Sequence, residues 1–199
     1  MIDRIPDGTP SVFADRAIAA ARAVLDRPER PFVSFNVGAG TLERSNGDGG
    51  QWLRRVLDAL PPDRVMLELL EGAVPVQPDR LASGLRALRE RGVRLALDDF
   101  GTALSNLDRL VALRPDVVKI DRTFCTGART ARLPVVAALA AMAARLDVTL
   151  VAEGMETDAD VGAMRDLGVP LGQGFHLGRP APASAWSVGP IEGSSAEPA

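Results

Sequence analysis

With 199 residues, 46% apolar and 25% charged, the chain carries enough apolar material for one domain with a substantial core, which excludes disorder of the whole. A net charge of -3, with Lys and Arg spread rather than clustered, lacks the basic footprint that nucleic-acid backbones attract and argues against a DNA or RNA binder. A single cysteine, Cys125, forbids an intramolecular disulfide, and no signal-like N-terminus or bilayer-length apolar run is present, so a cytoplasmic chain without a membrane segment is expected.

Along the chain, short β-branched apolar runs alternate with longer stretches of helical period, the pattern of β/α units around a parallel sheet. A helix is predicted over Val12 to Leu25 and a strand over Phe32 to Val37, followed by a loop, Glu43 to Gly50, rich in Gly, Asn and Ser. Gln51 to Leu60 reads as a helix, Arg64 to Leu70 as a strand and Pro78 to Arg91 as a helix, with Pro78 suited to its first turn and Gly92 to its close. Then come a strand over Arg94 to Phe100, a helix over Ser105 to Leu113 and a short strand over Val117 to Ile120. The apolar helix Arg132 to Leu146 precedes a strand at Thr149 to Glu153. A helix from Asp158 to Leu167 follows, with Thr157 and Asp160 spaced as a capping box and Gly168 at its end. Leu171 to Phe175 is the last strand, and residues 186–199 read as a disordered tail.

Every predicted strand ends in a residue able to ligate a cation or move a proton. Asn36 ends the first, Glu68 and Glu71 the second, Asp98 and Asp99 the third. Lys119 and Asp121 end the fourth, Glu153 and Glu156 the fifth, and Gln173 lies in the sixth. Parallel barrels build their active sites from the C-terminal ends of several strands. Five or more carboxylates on one rim repel each other strongly, so cations or shared protons must relieve them. Oxygen donors without an essential cysteine or histidine suit Mg²⁺ or Mn²⁺, and the adjacent Asp98 and Asp99 suit two ions side by side. Two-metal sites serve in-line phosphoryl transfer, which makes phosphodiester hydrolysis the candidate chemistry. Taken alone, an Asp before a turn is more ordinarily a cap or a solvated residue; the case rests on their joint placement. His176, the only histidine, reads as a residue outside the chemistry, and Cys125 as a small apolar filler.

The segments "SFNV", "LELLE", "LALDDFGTALSNL", "VVKIDRTF", "VAEGMET" and "LGQGFHLGRP", in this order, resemble the motifs of EAL-type cyclic di-GMP phosphodiesterases over about residues 12–185. The resemblance implies a TIM-like (β/α) barrel, present here with about six of the eight strands that closure needs. It makes Asn36, Glu68, Asp98 and Asp99 metal ligands, with Glu153 a further ligand or a site for the catalytic water. Lys119 would orient that water and support the phosphate, while Glu156 and Gln173 complete the pocket and its contacts to cyclic di-GMP. Glu71 would tether the loop Gly101 to Asn106. The implied reaction opens one phosphodiester bond to give linear pGpG, with a homodimer or a regulatory domain as further partners.

The chain also departs from the pattern. It contains no Glu-Ala-Leu tripeptide and lacks the arginine that follows it in the family; Ala103, Leu104 and Asn106 alter the loop; Leu70 and Phe175 replace a common threonine and tyrosine. A shortened version of a larger domain is therefore expected, with weak or no turnover if nothing supplies the missing ligand. The alternatives are a degenerate module that binds cyclic di-GMP or a protein partner, and an unrelated barrel enzyme with an acidic rim.

Overall fold

The computed structural model describes residues 11–26, 31–38, 42, 50–70, 78–101, 106–126 and 132–186. Their order is α1 (Ser11–Leu25), β1 (Val33–Val37), α2 (Gly50–Ala59), β2 (Val65–Leu70), α3 (Pro78–Glu90) and β3 (Arg94–Phe100). Then follow α4 (Asn106–Leu113), β4 (Val117–Ile120), the short α5 (Arg122–Cys125), α6 (Leu133–Leu146), β5 (Thr149–Glu153), α7 (Asp158–Asp166) and β6 (Leu171–Gln173). The strands form one parallel sheet in sequence order from β1 to β6, the topology of six successive β/α units of a barrel. None of the described helices is long and apolar enough to cross a membrane.

Two faces follow from the period of two. Phe35 and Val37 on β1, Val65, Leu67 and Leu69 on β2, Leu95 and Leu97 on β3, Val118 and Ile120 on β4, and Leu150 and Ala152 on β5 are buried under the helices. Phe35, for instance, meets Trp52 of α2 edge to face, with ring centres 5.7 Å apart. The intervening residues form the opposite, inner face. Parallel register aligns Asn36 with Glu68 and Glu153 with Gln173, but Glu68 with Ala96 and Lys119 with Val151, so the polar layer of that inner face is stepped from strand to strand rather than level.

Element ends show the expected chemistry in several places. Thr157 and Asp160 form the reciprocal capping box of α7, and Gly92 and Gly168 take positive φ beyond α3 and α7. Three details differ from the reading of the sequence. Arg64 belongs to a 3-10 turn ahead of β2, its guanidinium donating to the Pro31 carbonyl. β6 stops at Gln173, because Gly174 lies so close to the Met155 backbone that a Cβ there would sit 2.2 Å from it, and the chain turns instead. The four-residue helix α5 was not expected; Asp121 caps it by accepting from the Thr123 amide. The predicted loop at 43–49, Glu71, loop positions 102–105 and nearly all of the tail lie outside the described residues.

Candidate active site at the strand ends

The centre of the polar layer is Lys119. Its ammonium lies 2.8 Å from Glu153 Oε1, 2.9 Å from Asp98 Oδ1 and 3.1 Å from Glu68 Oε2, so β4 places a cation among carboxylates from β2, β3 and β5. All four side chains are largely buried, at 8–18% exposure, where charge interactions are poorly screened. Burial works against the ammonium, yet the Glu68 charge and the bonds to Glu153 and Asp98 outweigh it and hold its pKa above the ordinary lysine value. Burial also dominates at Glu153, raising its pKa despite the opposing pull of Lys119, with Asp98 and Asp99 pushing the same way as burial.

Asp99 reaches this site through a break in the strand. From Leu97 to Phe100 the chain advances three residues while β4 advances two, Val118 to Ile120, which is one extra residue in β3. Asp99 is that residue and takes φ 57°, a left-handed conformation that Asp tolerates better than most residues. In a regular strand Asp98 and Asp99 would point to opposite faces. The bulge instead brings carboxylate oxygens of Asp98, Asp99 and Glu153 within 4.8 Å of one another while returning Phe100 to the core.

Other predicted residues lie around this centre. Asn36 is beside Glu68 in register, and Gln173 ends β6 beside Glu153. Glu156 is exposed in the loop after β5 and is not drawn into the lysine cluster. Glu71 is outside the described residues. His176 stands apart, its Nε2 3.0 Å from Asp158 at the start of α7. Cys125 is buried, its thiol donating to the Ile120 carbonyl, and burial pushes its pKa up to about 11. Ser34 was missed by the reading of the sequence: its hydroxyl donates to Glu68 Oε1 at 2.5 Å. The available signal was its spacing, two residues before Asn36 and hence on the same face of β1.

The donor set fits a divalent cation. Ligand oxygens on one ion at about 2.0–2.4 Å lie no more than roughly 4–4.8 Å apart, the spread that Asp98, Asp99 and Glu153 show. Three carboxylates around one ammonium, with Asp99 beside two of them, also leave the cluster strongly negative, and the donors are all oxygens, as hard cations prefer.

The EAL domain family model matches residues 11–180. Cyclic di-GMP phosphodiesterase RocR of Pseudomonas aeruginosa is 37% identical over 125 residues, which cover 62% of this chain and 32% of that protein. The crystal structure of the EAL domain of Mycobacterium smegmatis DcpA superposes with a TM-score of 0.77 at 29% identity, covering 88% of this chain and 80% of that one. Klebsiella pneumoniae BlrP1, solved as a manganese and cyclic di-GMP complex, gives a TM-score of 0.71 at 31% identity over 82% of this chain and 42% of that one. The chain spans 17–32% of the length of the first curated relatives it matches. A match running from α1 past β6 shows that this chain belongs to the EAL domain family.

Proposed function

We propose that the chain carries a divalent-cation-dependent site that hydrolyses one phosphodiester bond of cyclic di-GMP to linear pGpG, with slow turnover. The observation that carries this reading is the convergence of Glu68, Asp98, Asp99, Lys119 and Glu153 from four adjacent strands at their C-terminal ends. RocR, a relative named for this activity, and BlrP1, a neighbour complexed with manganese and cyclic di-GMP, support it.

Asn36, Glu68, Asp98, Asp99 and Glu153 would hold one or two Mg²⁺ or Mn²⁺ ions. Bound there, such ions neutralise phosphate charge and make water acidic enough to attack near neutral pH. Lys119 holds the carboxylates together, keeps a fixed positive charge beside the phosphate and orients the attacking water from Nζ. Gln173 and Glu156, at the exits of β6 and β5, contact the nucleotide. Turnover is slow because the 199 residues contain no Glu-Ala-Leu glutamate to complete the ligand shell. Incubation of the chain with cyclic di-GMP and Mn²⁺ or Mg²⁺, followed by ion-pair chromatography, is expected to show metal-dependent pGpG. Unchanged nucleotide at high protein concentration refutes the catalytic reading.

One observation favours a second reading, a non-catalytic receptor or interaction module. Among the described residues β6 pairs with β5 alone, and Leu171 on it and Phe175 and Leu177 just after it are about half exposed. Calorimetry separates the two: binding of cyclic di-GMP without product would establish a receptor, and no heat with or without metal would leave a protein-binding role. The setting expected for either role is cytoplasmic, with a second copy or a regulatory domain as further partner.

A further inference from the structure

We infer that Ser34 is a positioning residue for the cation site, acting through Glu68. The inference rests on reading that site as one for a divalent cation. Ser34 and Asn36 occupy alternate positions of β1 and so share its inner face, while register sets Asn36 beside Glu68. The Ser34 hydroxyl therefore reaches Glu68 diagonally across the strand pair and donates to Oε1 at 2.5 Å, within the range of a charge-assisted O–H to carboxylate bond. Lys119 donates to the other oxygen, Oε2, at 3.1 Å. A glutamate carboxylate otherwise turns freely about its last torsion. Two donors, one on each oxygen, fix both the rotamer and the plane of this one.

The bonds leave acceptor capacity for a cation, because each carboxylate oxygen offers two lone-pair directions and, among the described residues, one on each is used. The two donors are not equivalent. Lys119 divides its ammonium among three carboxylates, so its hold on Glu68 changes with whatever else enters the cluster. Ser34 is held by the β1 backbone and has Glu68 as its partner. It keeps Glu68 in place when the lysine shifts. Outer partners that orient a ligand in this way commonly tune metal affinity by about 10–100-fold.

The test measures Mn²⁺ binding to the full chain by calorimetry, for wild type, Ser34→Ala, Ser34→Cys and Ser34→Thr, with folding checked by circular dichroism in chelator. The expected result is a loss of affinity of about 10-fold or more in Ser34→Ala, a smaller loss in Ser34→Cys, whose thiol is a weaker donor, and affinity close to wild type in Ser34→Thr, which keeps the hydroxyl. A purely structural serine would not give this order, since it follows donor strength and not side-chain volume. Equal affinity in wild type and Ser34→Ala overturns the role of Ser34 and leaves the cation site standing. Should Ser34→Ala fail to fold, wild-type affinity in Ser34→Cys overturns it in the same way. Absence of Mn²⁺ binding by wild type overturns the site itself and the inference with it.

Discussion

Replacing Lys119 by Met keeps an unbranched side chain only one atom shorter and removes its charge. Each of the three contacts at 2.8–3.1 Å corresponds to about 5 kcal/mol of attraction at an effective dielectric of 20, or of order 15 kcal/mol in gross terms. Most of that offsets the desolvation of four buried charges, and breaking one partner of such a cluster costs about 3–5 kcal/mol net. For a chain of this size this lowers Tm by roughly 6–20 °C. Urea unfolding at pH 7.5 in EDTA reads the loss as a lower midpoint at an unchanged slope, and added Mn²⁺ is expected to restore part of it by supplying the missing positive charge. The pH dependence has a definite sign. Because the folded pKa of Lys119 lies above its unfolded value, its contribution is complete below about pH 10.5 and fades above it, so wild type loses its advantage over Lys119→Met only in strong alkali. A stability lowered by less than about 1 kcal/mol at pH 7.5, the range of exposed ion pairs, would refute the reasoning.

Three further outcomes are expected. In folded protein the Cys125 thiol is alkylated by iodoacetamide only slowly at pH 8, with a half-maximal rate near pH 11, whereas urea-unfolded protein shows an ordinary thiol; rapid labelling of the native state at pH 8 contradicts this. Gly154→Ala places a Cβ 2.5 Å from Arg122 Cβ at a φ of 72°, so it destabilises by more than the roughly 1–2 kcal/mol of the left-handed backbone alone; an unchanged thermal midpoint would count against the described exit of β5. Thr157→Ala removes half of the α7 capping box and costs about 1 kcal/mol, a fall in Tm of roughly 2–4 °C, with metal binding unaffected.

The fold was legible because period and punctuation agreed along most of the chain. The apolar residues Phe35, Leu67, Leu97, Val118 and Ala152 mark one buried face, and Gly92, Thr157 and Gly168 mark helix ends whose conformations the structure shows. The direction of approach of Asn36, Glu68, Asp98, Lys119 and Glu153 was legible for the same reason, as a polar residue near the end of each strand. What strand periodicity hides is any break in it. No propensity signals that Asp99 is an extra residue with a left-handed backbone, yet that bulge turns two consecutive carboxylates toward one place. Ser34 was hidden because a serine inside a strand has no motif of its own, and its meaning comes from register with Glu68. Arg89 of α3 and Arg91 just beyond it cap other helices, Arg89 donating to the Leu113 and Arg114 carbonyls and Arg91 to that of Leu57. Long side chains reach partners that no local pattern encodes.

The most direct test of the account follows cyclic di-GMP by ³¹P nuclear magnetic resonance in the presence of the chain and Mg²⁺, with Asp98→Asn alongside. Wild type is expected to convert one of the two diester phosphates slowly into a monoester, chelator to stop this, and Asp98→Asn to show none of it. A spectrum that keeps only diester signals at high wild-type concentration, or identical conversion by Asp98→Asn, would contradict the account.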